Sequence, residues 1–280
     1  MGETNGPLRD SAVGAFSIFE YDELDSTNDE AKRLVKKAVL EGQKEPSPSS
    51  LSLDELYGSV VAARRQSAGK GRRGRAFFSP GGDSIYASFI LRPPERPGEQ
   101  PITAFAAVAV CEAIERTTPC NPGIKWPNDI LIDGKKVCGI LAETVPDAVI
   151  LGIGVNINLD ENDLPESLRG TAGSLRLDAE TRERFFDALV ESVFRCTEDN
   201  KNRPLCPNKN RPLCPISASA LMDEYRARSI LIGKPVHVLR GDGKAPATAI
   251  GVADDGSLVV QYEDGAVTAL RSGEVSVRPL

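Results

Sequence analysis

Arg64-Arg65-Gln66-Ser67-Ala68-Gly69-Lys70-Gly71-Arg72-Arg73-Gly74-Arg75 is the stretch whose reading decides the fold. Gly69, Gly71 and Gly74 fit G-x-G-x-x-G, and an apolar run, Ser59 to Ala63, comes just before them. That fingerprint binds dinucleotides only where a helix opens at the third glycine. Here Pro80 and the Gly81-Gly82 pair follow within two turns and would break such a helix. Ser84 to Leu91 is rich in Ile, Tyr and Phe and reads as a strand. Strand–loop–strand excludes the doubly wound dinucleotide fold.

The loop itself is chemically biased. Six of the twelve residues from 64 to 75 are cationic, three are glycines and none is acidic, in a chain of net charge -6. Glycine lets backbone N–H groups turn toward a ligand, and Lys and Arg supply positive charge. Together they describe a holder for a phosphate or a carboxylate. The overall acidity argues against a general nucleic-acid binder.

At 280 residues the chain has room for one large domain and a small one. Its 40% hydrophobic and 26% charged content is ordinary for a globular protein. No apolar run approaches the ~20 residues that span a bilayer. The first residues lack an apolar signal core and include Glu3 and Asp10, so a cytoplasmic protein without a membrane partner is expected. Cysteines stand at 111, 120, 138, 196, 206 and 214 without a C-x-x-C pair, and His237 is the only histidine. Zinc and Cys–His chemistry therefore find no support, and reduced thiols are expected.

In chain order, Phe16–Tyr21 reads as a strand, and Ala31, Leu34, Val35 and Ala38 mark a helix that stops at Gly42. Thr27 and Glu30 make a capping box at its start, a role that could account for Ser26, Thr27 and Asn28 altogether. A helix start also offers free N–H groups and hydroxyls to a polar ligand. Residues 43–52 form a proline-broken loop, and Pro101 opens an apolar helix that Pro119 and Pro122 end. Asp133-Gly134, between two β-rich runs, signals a hairpin. Val149–Asn158 is a further strand, with Gly152 and Gly154 where a ligand or backbone passes closely. Asp178–Cys196 reads as an amphipathic helix and Ser219–Arg228 as a short one. Between them NKNRPLCP occurs twice, at 200–207 and 208–215, and reads as an inserted surface loop. From Pro235, five short strands separated by Gly/Asp turns suggest a small β-barrel.

Five segments in order resemble the biotin protein ligase family. They are Asp25-Ser26-Thr27-Asn28; Gln66 to Arg75; Lys125-Trp126-Pro127-Asn128-Asp129; Lys136-Val137-Cys138-Gly139-Ile140-Leu141; and Gly152-Ile153-Gly154-Val155-Asn156-Ile157-Asn158. The resemblance is close over about residues 16–175 and looser beyond. It implies an α+β fold: a central mixed β-sheet flanked by helices, like that of class II aminoacyl-tRNA synthetases, with a small C-terminal Src-homology-3-like β-barrel. The expected division is 1–230 catalytic and 231–280 barrel. Some members begin with a helix-turn-helix repressor domain. Residues 1–15 leave no room for one, so no nucleic-acid partner is expected.

The resemblance implies ATP-dependent activation of biotin to biotinyl-5′-AMP, with Mg2+, and transfer to a lysine of a biotin carboxyl carrier protein. By the same resemblance Ser26, Thr27, Asn28 and Gln66 hold biotin's ureido ring, with Asn28 in support. Lys70, Gly71 and Arg72 follow its chain and carboxylate. Lys70, Arg72, Arg75, Phe77, Asn128 and Asn156 face ATP, Asp129 faces the metal, and Lys136 and Arg72 are catalytic. The family usually has arginine at Lys70, whose lysine lacks the planar fork, and often a tryptophan at Phe77. Strand alternation alone does not choose between Lys135 and Lys136; the register Lys-x-x-Gly-Ile selects Lys136. Read bare, Pro127-Asn128-Asp129 is also a good turn. Many relatives form homodimers. The rival readings are a lipoate or octanoyl transferase of the same superfamily, and a non-catalytic biotin-binding module.

Overall fold

The computed structural model describes residues 9–13, 16–43, 51–80, 84–94, 101–160, 162, 164–197, 216–240, 243–271 and 276–279. The duplicated NKNRPLCP segment, Cys206, Cys214, most of the 43–52 loop and the Gly241-Asp242 turn lie outside them.

Eight strands build one mixed sheet: β1 (Arg9–Val13), β2 (Phe16–Leu24), β3 (Ser59–Gln66), β4 (Ile85–Leu91), β5 (Gly123–Lys125), β6 (Asp129–Ile132), β7 (Lys135–Val145) and β8 (Ala148–Val155). Their order is β1-β2-β3-β4-β8-β7-β6-β5. β2 and β3 run parallel, and β3 meets β4 antiparallel across the basic loop. The strand–loop–strand reading of residues 59–91 is therefore the observed one. The strand β1 had no clear signal in the sequence.

Helices cover both faces. α1 (Thr27–Gly42) and the short α2 (Leu53–Leu56) lie on one side; α3 (Ile102–Thr117), α4 (Ala179–Thr197) and α5 (Ala218–Arg228) lie on the other. Every residue of β4 is buried, which is why its sequence reads as an unbroken apolar run rather than an alternation. Phe89 of β4 joins the α3–α4 core, where Phe194 stacks on Phe16 at 4.1 Å between ring centroids. Ile90, its neighbour, turns to the α1 side with Val61, Ala31 and Val35.

The C-terminal strands β9 (Pro235–Arg240), β10 (Gly243–Val252), β11 (Leu258–Tyr262), β12 (Val267–Leu270) and β13 (Ser276–Pro279) form a small antiparallel sheet in the order β12-β11-β10-β9-β13. This sheet packs into the same core as the large one, with Val236, Val238, Ala249 and Val260 in the cluster that holds α3 and α5, and two hydrogen bonds add to that contact. The indole Nε1 of buried Trp126 donates to the Gly256 carbonyl at 2.9 Å, and Arg226 Nε donates to the Val252 carbonyl at 2.7 Å. Gly256 has φ 80°, a left-handed turn conformation that suits glycine.

Candidate active site

A pocket of about 250 Å³ opens on the α1 face of the sheet. Four segments wall it: the start of α1, the basic loop, the turn from Lys125 to Asp129, and a floor of β7 and β8 with Tyr86 of β4 beside it.

The start of α1 differs from the expected capping box. Ser26, not Thr27, is the N-cap residue, and its side chain makes no capping bond. Glu30 turns away to Tyr21 Oη (3.2 Å) and Arg33 Nε (2.7 Å). The Ser26 side chain lines the pocket, while the Thr27 hydroxyl is held by Gln66 and Ser88. Both the N–H and the Oγ1 of Thr27 donate to Gln66 Oε1, at 2.9 and 3.2 Å. Gln66 Nε2 in turn donates to Ser79 Oγ at 3.0 Å, which orients the amide. Ser88 Oγ sits 2.8 Å from Thr27 Oγ1 and 2.6 Å from Asn28 Oδ1. Asn28 Nδ2 donates to Glu143 Oε2 at 2.8 Å, and Lys32 pairs with the other Glu143 oxygen at 2.7 Å. Burial opposes the Glu143 charge, but Lys32 and Asn28 outweigh it and hold the carboxyl below its ordinary value. Neither Glu143 nor Ser88 was singled out from sequence. A serine inside the apolar run of β4 was the available signal.

The basic loop is a small folded hairpin. Lys70 bridges to Ala76, the Gly71 N–H donates to the Arg75 carbonyl at 2.7 Å, and the Phe77 N–H donates to the Gly69 carbonyl at 2.8 Å. Its tip holds Arg73 at φ 58° and Gly74 at φ 70°. A left-handed non-glycine residue is uncommon and tends to mark sites under functional constraint. Gly69 is required by close approach, since a Cβ there would lie 2.4 Å from Ser79 Oγ and 2.5 Å from the Phe77 carbonyl oxygen. Lys70 Nζ pairs with Asp29 at 2.6 Å, and that hydrogen bond raises its pKa. Arg72 Nη1 donates to Asn128 Oδ1 at 3.0 Å. Burial pulls the Arg72 pKa down and Arg73 adds to the effect, while Asp129 opposes it.

Lys136 reaches the pocket because of a β-bulge. β6 and β7 slip register between Ile130 and Leu131, so Val137 and Cys138 both turn into the core. Strict alternation back from Gly139 would have buried Lys136 on the wrong side; the extra residue re-aims it. Its Nζ lies 2.5 Å from Asp129 Oδ1. Asn128 Nδ2 donates to the Ile140 carbonyl at 2.9 Å, which docks the turn onto β7.

Ser26, Thr27, Asn28, Gln66, Lys70, Gly71, Arg72, Arg75, Phe77, Asn128, Asp129 and Lys136 all line this pocket. Asn156 does not. It is buried, and its amide donates to the carbonyls of Gly173 (3.0 Å) and Lys136 (3.4 Å), buttressing the strand behind the pocket. Asp129 is the single carboxylate among the described lining residues, and no cluster of three metal-ligating side chains occurs among the described residues. No helix among them is long and apolar enough to cross a membrane.

Comparison with known proteins gives two family matches: the biotin/lipoate A/B protein ligase family over residues 46–160, and the biotin protein ligase C terminal domain over 231–278. The bifunctional ligase/repressor BirA of Bacillus subtilis is 31% identical over 269 residues, 92% of this chain and 73% of its own length. A biotin–[acetyl-CoA-carboxylase] ligase of Mycobacterium tuberculosis is 29% identical over 96% of this chain and 93% of its own. Among solved structures, a biotin protein ligase from Aquifex aeolicus in complex with biotin and ATP matches with TM-score 0.68 and 26% identity, covering 94% of this chain and 99% of that one.

Proposed function

The chain belongs to the biotin protein ligase family, and we propose that it joins biotin to a lysine of a biotin carboxyl carrier protein in two steps, with ATP as co-substrate. In the first, an oxygen of the biotin carboxylate attacks the α-phosphorus of ATP and pyrophosphate leaves. In the second, the lysine amine attacks the acyl carbon and AMP leaves. One observation carries this reading: a hydrogen-bonding cradle and a cationic set share a single pocket.

Ser26, Thr27 and Gln66 bind the ureido ring, whose N–H and C=O groups match hydroxyls and an oriented amide. Arg72 and Lys136 hold the carboxylate and the α-phosphate. Bringing one anion onto another is slow without neutralisation, so positioning and preorganised positive charge are the main catalytic means. Arg75 and Asn128 face the nucleotide's phosphates. Asp129 and the phosphate oxygens suit magnesium, which takes oxygen ligands and retains water; the bound ion would spread phosphate charge. The working division is a catalytic unit over 1–230 and a C-terminal unit over 231–280.

The test is incubation with ATP, magnesium, biotin and a biotin carrier domain, followed by the mass of the carrier. A gain of one biotinyl group per carrier is expected. A gain with lipoate and none with biotin would assign the chain to the lipoate branch. Pyrophosphate release that does not depend on biotin would remove the first step. Biotin should also raise the melting point, since a ligand at a hundredfold excess over Kd adds about 2.7 kcal/mol.

A further inference from the structure

The pocket floor has a bare centre. Gly139 on β7 and Gly154 on β8 are cross-strand partners; Gly154 also pairs with Tyr86 on β4, and Gly139 with Asp129 on β6. The row Tyr86–Gly154–Gly139–Asp129 thus crosses four strands with no side chain in its middle. The Phe77 ring rests there. A Cβ on Gly154 would fall 2.7 Å from Phe77 Cε1, and one on Gly139 would fall 2.9 Å from Cε2. Tyr86 meets the ring edge-on, with centroids 6.5 Å apart and planes at 79°. Lys136 Nζ lies 5.7 Å from the ring centroid.

We infer that Phe77 is a gate, its ring closing the glycine trough that the acyl chain of biotin must cross. The inference rests on the function proposed above, which fixes the two ends of the ligand. The ureido ring lies at Thr27 and Gln66, and the carboxylate lies at Lys136. The aliphatic chain joining them passes over the glycine floor, where a ring in van der Waals contact with backbone leaves no layer for methylenes. Binding therefore requires the ring to lift. An equilibrium of this kind lowers apparent affinity by the open fraction, and the ring's edge contact with Tyr86 favours the closed form by roughly two- to tenfold.

The experiment compares wild type, Phe77→Ala and Phe77→Leu by stopped-flow association and calorimetry with biotin alone. Wild-type biotin binding in calorimetry tests the function itself; the ratio of the variants to wild type tests the gate. For wild type the observed rate should level off as biotin rises, because opening becomes limiting. For Phe77→Ala the rate should stay linear, with affinity about two- to tenfold tighter and Phe77→Leu between. A wild-type rate linear in biotin, with weaker binding by both variants, would make the ring a fixed wall and overturn the gate.

Discussion

Gly152→Ala is the most informative single change in the polar cradle. Gly152 is held on both sides of the sheet, paired with Ser88 on β4 and Leu141 on β7, so its backbone has little freedom to retreat. A methyl there would lie 2.3 Å from Asn28 Oδ1 and 3.0 Å from its Cγ. Asn28 is only 3% exposed and must move instead, giving up Ser88 Oγ at 2.6 Å and Glu143 Oε2 at 2.8 Å. Overpacking of this kind costs about 1–3 kcal/mol. Each hydrogen bond adds roughly 0.5–1.5 kcal/mol, and more where a charge is involved. A loss of about 2–6 kcal/mol is expected, which at ~2–4 °C per kcal/mol lowers the melting point by at least about 4 °C. Biotin affinity should fall at least about tenfold, because Thr27 shares the Ser88 hydroxyl with Asn28. Urea denaturation and biotin calorimetry measure both effects. Asn28→Ala removes the group that clashes, so the double variant should be no less stable than Asn28→Ala alone, a coupling of about 1–3 kcal/mol. Simple additivity of the two changes, or a Gly152→Ala loss below ~0.5 kcal/mol, would refute the packing argument.

Lys136→Ala should slow adenylate formation at least ~100-fold, as for removal of one transition-state donor; biotin-dependent pyrophosphate release reads it, and near-normal turnover would take Lys136 out of the mechanism. Glu143→Gln should raise the biotin KM while leaving kcat nearly unchanged, because Glu143 touches Asn28 and not the reacting atoms. The depressed Glu143 pKa means its contribution to stability is present above the ordinary 4.5 and is lost as pH falls through the lower folded value. The glutamine variant should therefore lose less stability on acidification than wild type over that range. Trp126→Phe removes the indole donor to the Gly256 carbonyl and should cost about 1 kcal/mol in chemical denaturation; an unchanged denaturation midpoint would show that this bond contributes nothing to stability.

The parts of the fold visible in the sequence were those governed by local chemistry. Proline and paired glycines after Arg75 prevented a helix, and Asp133-Gly134 placed both residues at positive φ (50° and 76°) in the turn between β6 and β7. The pocket-facing motifs were also legible, because three of them set glycines among charged or strand residues and the other two, Asp25–Asn28 and Lys125–Asp129, group polar residues at a helix start and a turn. What stayed hidden depends on distant partners. The bulge that turns Lys136 inward arises from pairing of β6 with β7, and strand periodicity carries no sign of it. Ser26 replaced Thr27 as the cap because Gln66, 39 residues from Thr27, claims the Thr27 hydroxyl. The resemblance assigns Asn156 to ATP, but in the fold its amide donates to the backbone carbonyls of Lys136 and Gly173, a demand set only once β7 and the 171–173 segment lie together.

The electrostatics of the pocket are best understood as an exchange of partners. Lys70 and Lys136 already hold carboxylates, Asp29 at 2.6 Å and Asp129 at 2.5 Å. Lys136 is only partly exposed and gains from a counter-charge in the ligand-free fold, whereas Lys70 is exposed and its pair contributes little to stability. It follows that an incoming anion gains from each lysine only the difference between two pairings, and a ligand carrying one weak charge gains little. A group on which negative charge builds during reaction gains more as the reaction advances. Lys136, seated between Asp129 and the Phe77 ring on the glycine floor, is positioned to favour such a group over the ground state. Interactions that strengthen toward the transition state are the ones that accelerate chemistry, so under the proposed mechanism the ion pair at Lys136 would limit tight binding of the substrate's resting charge while keeping the donor within reach of the charge that forms.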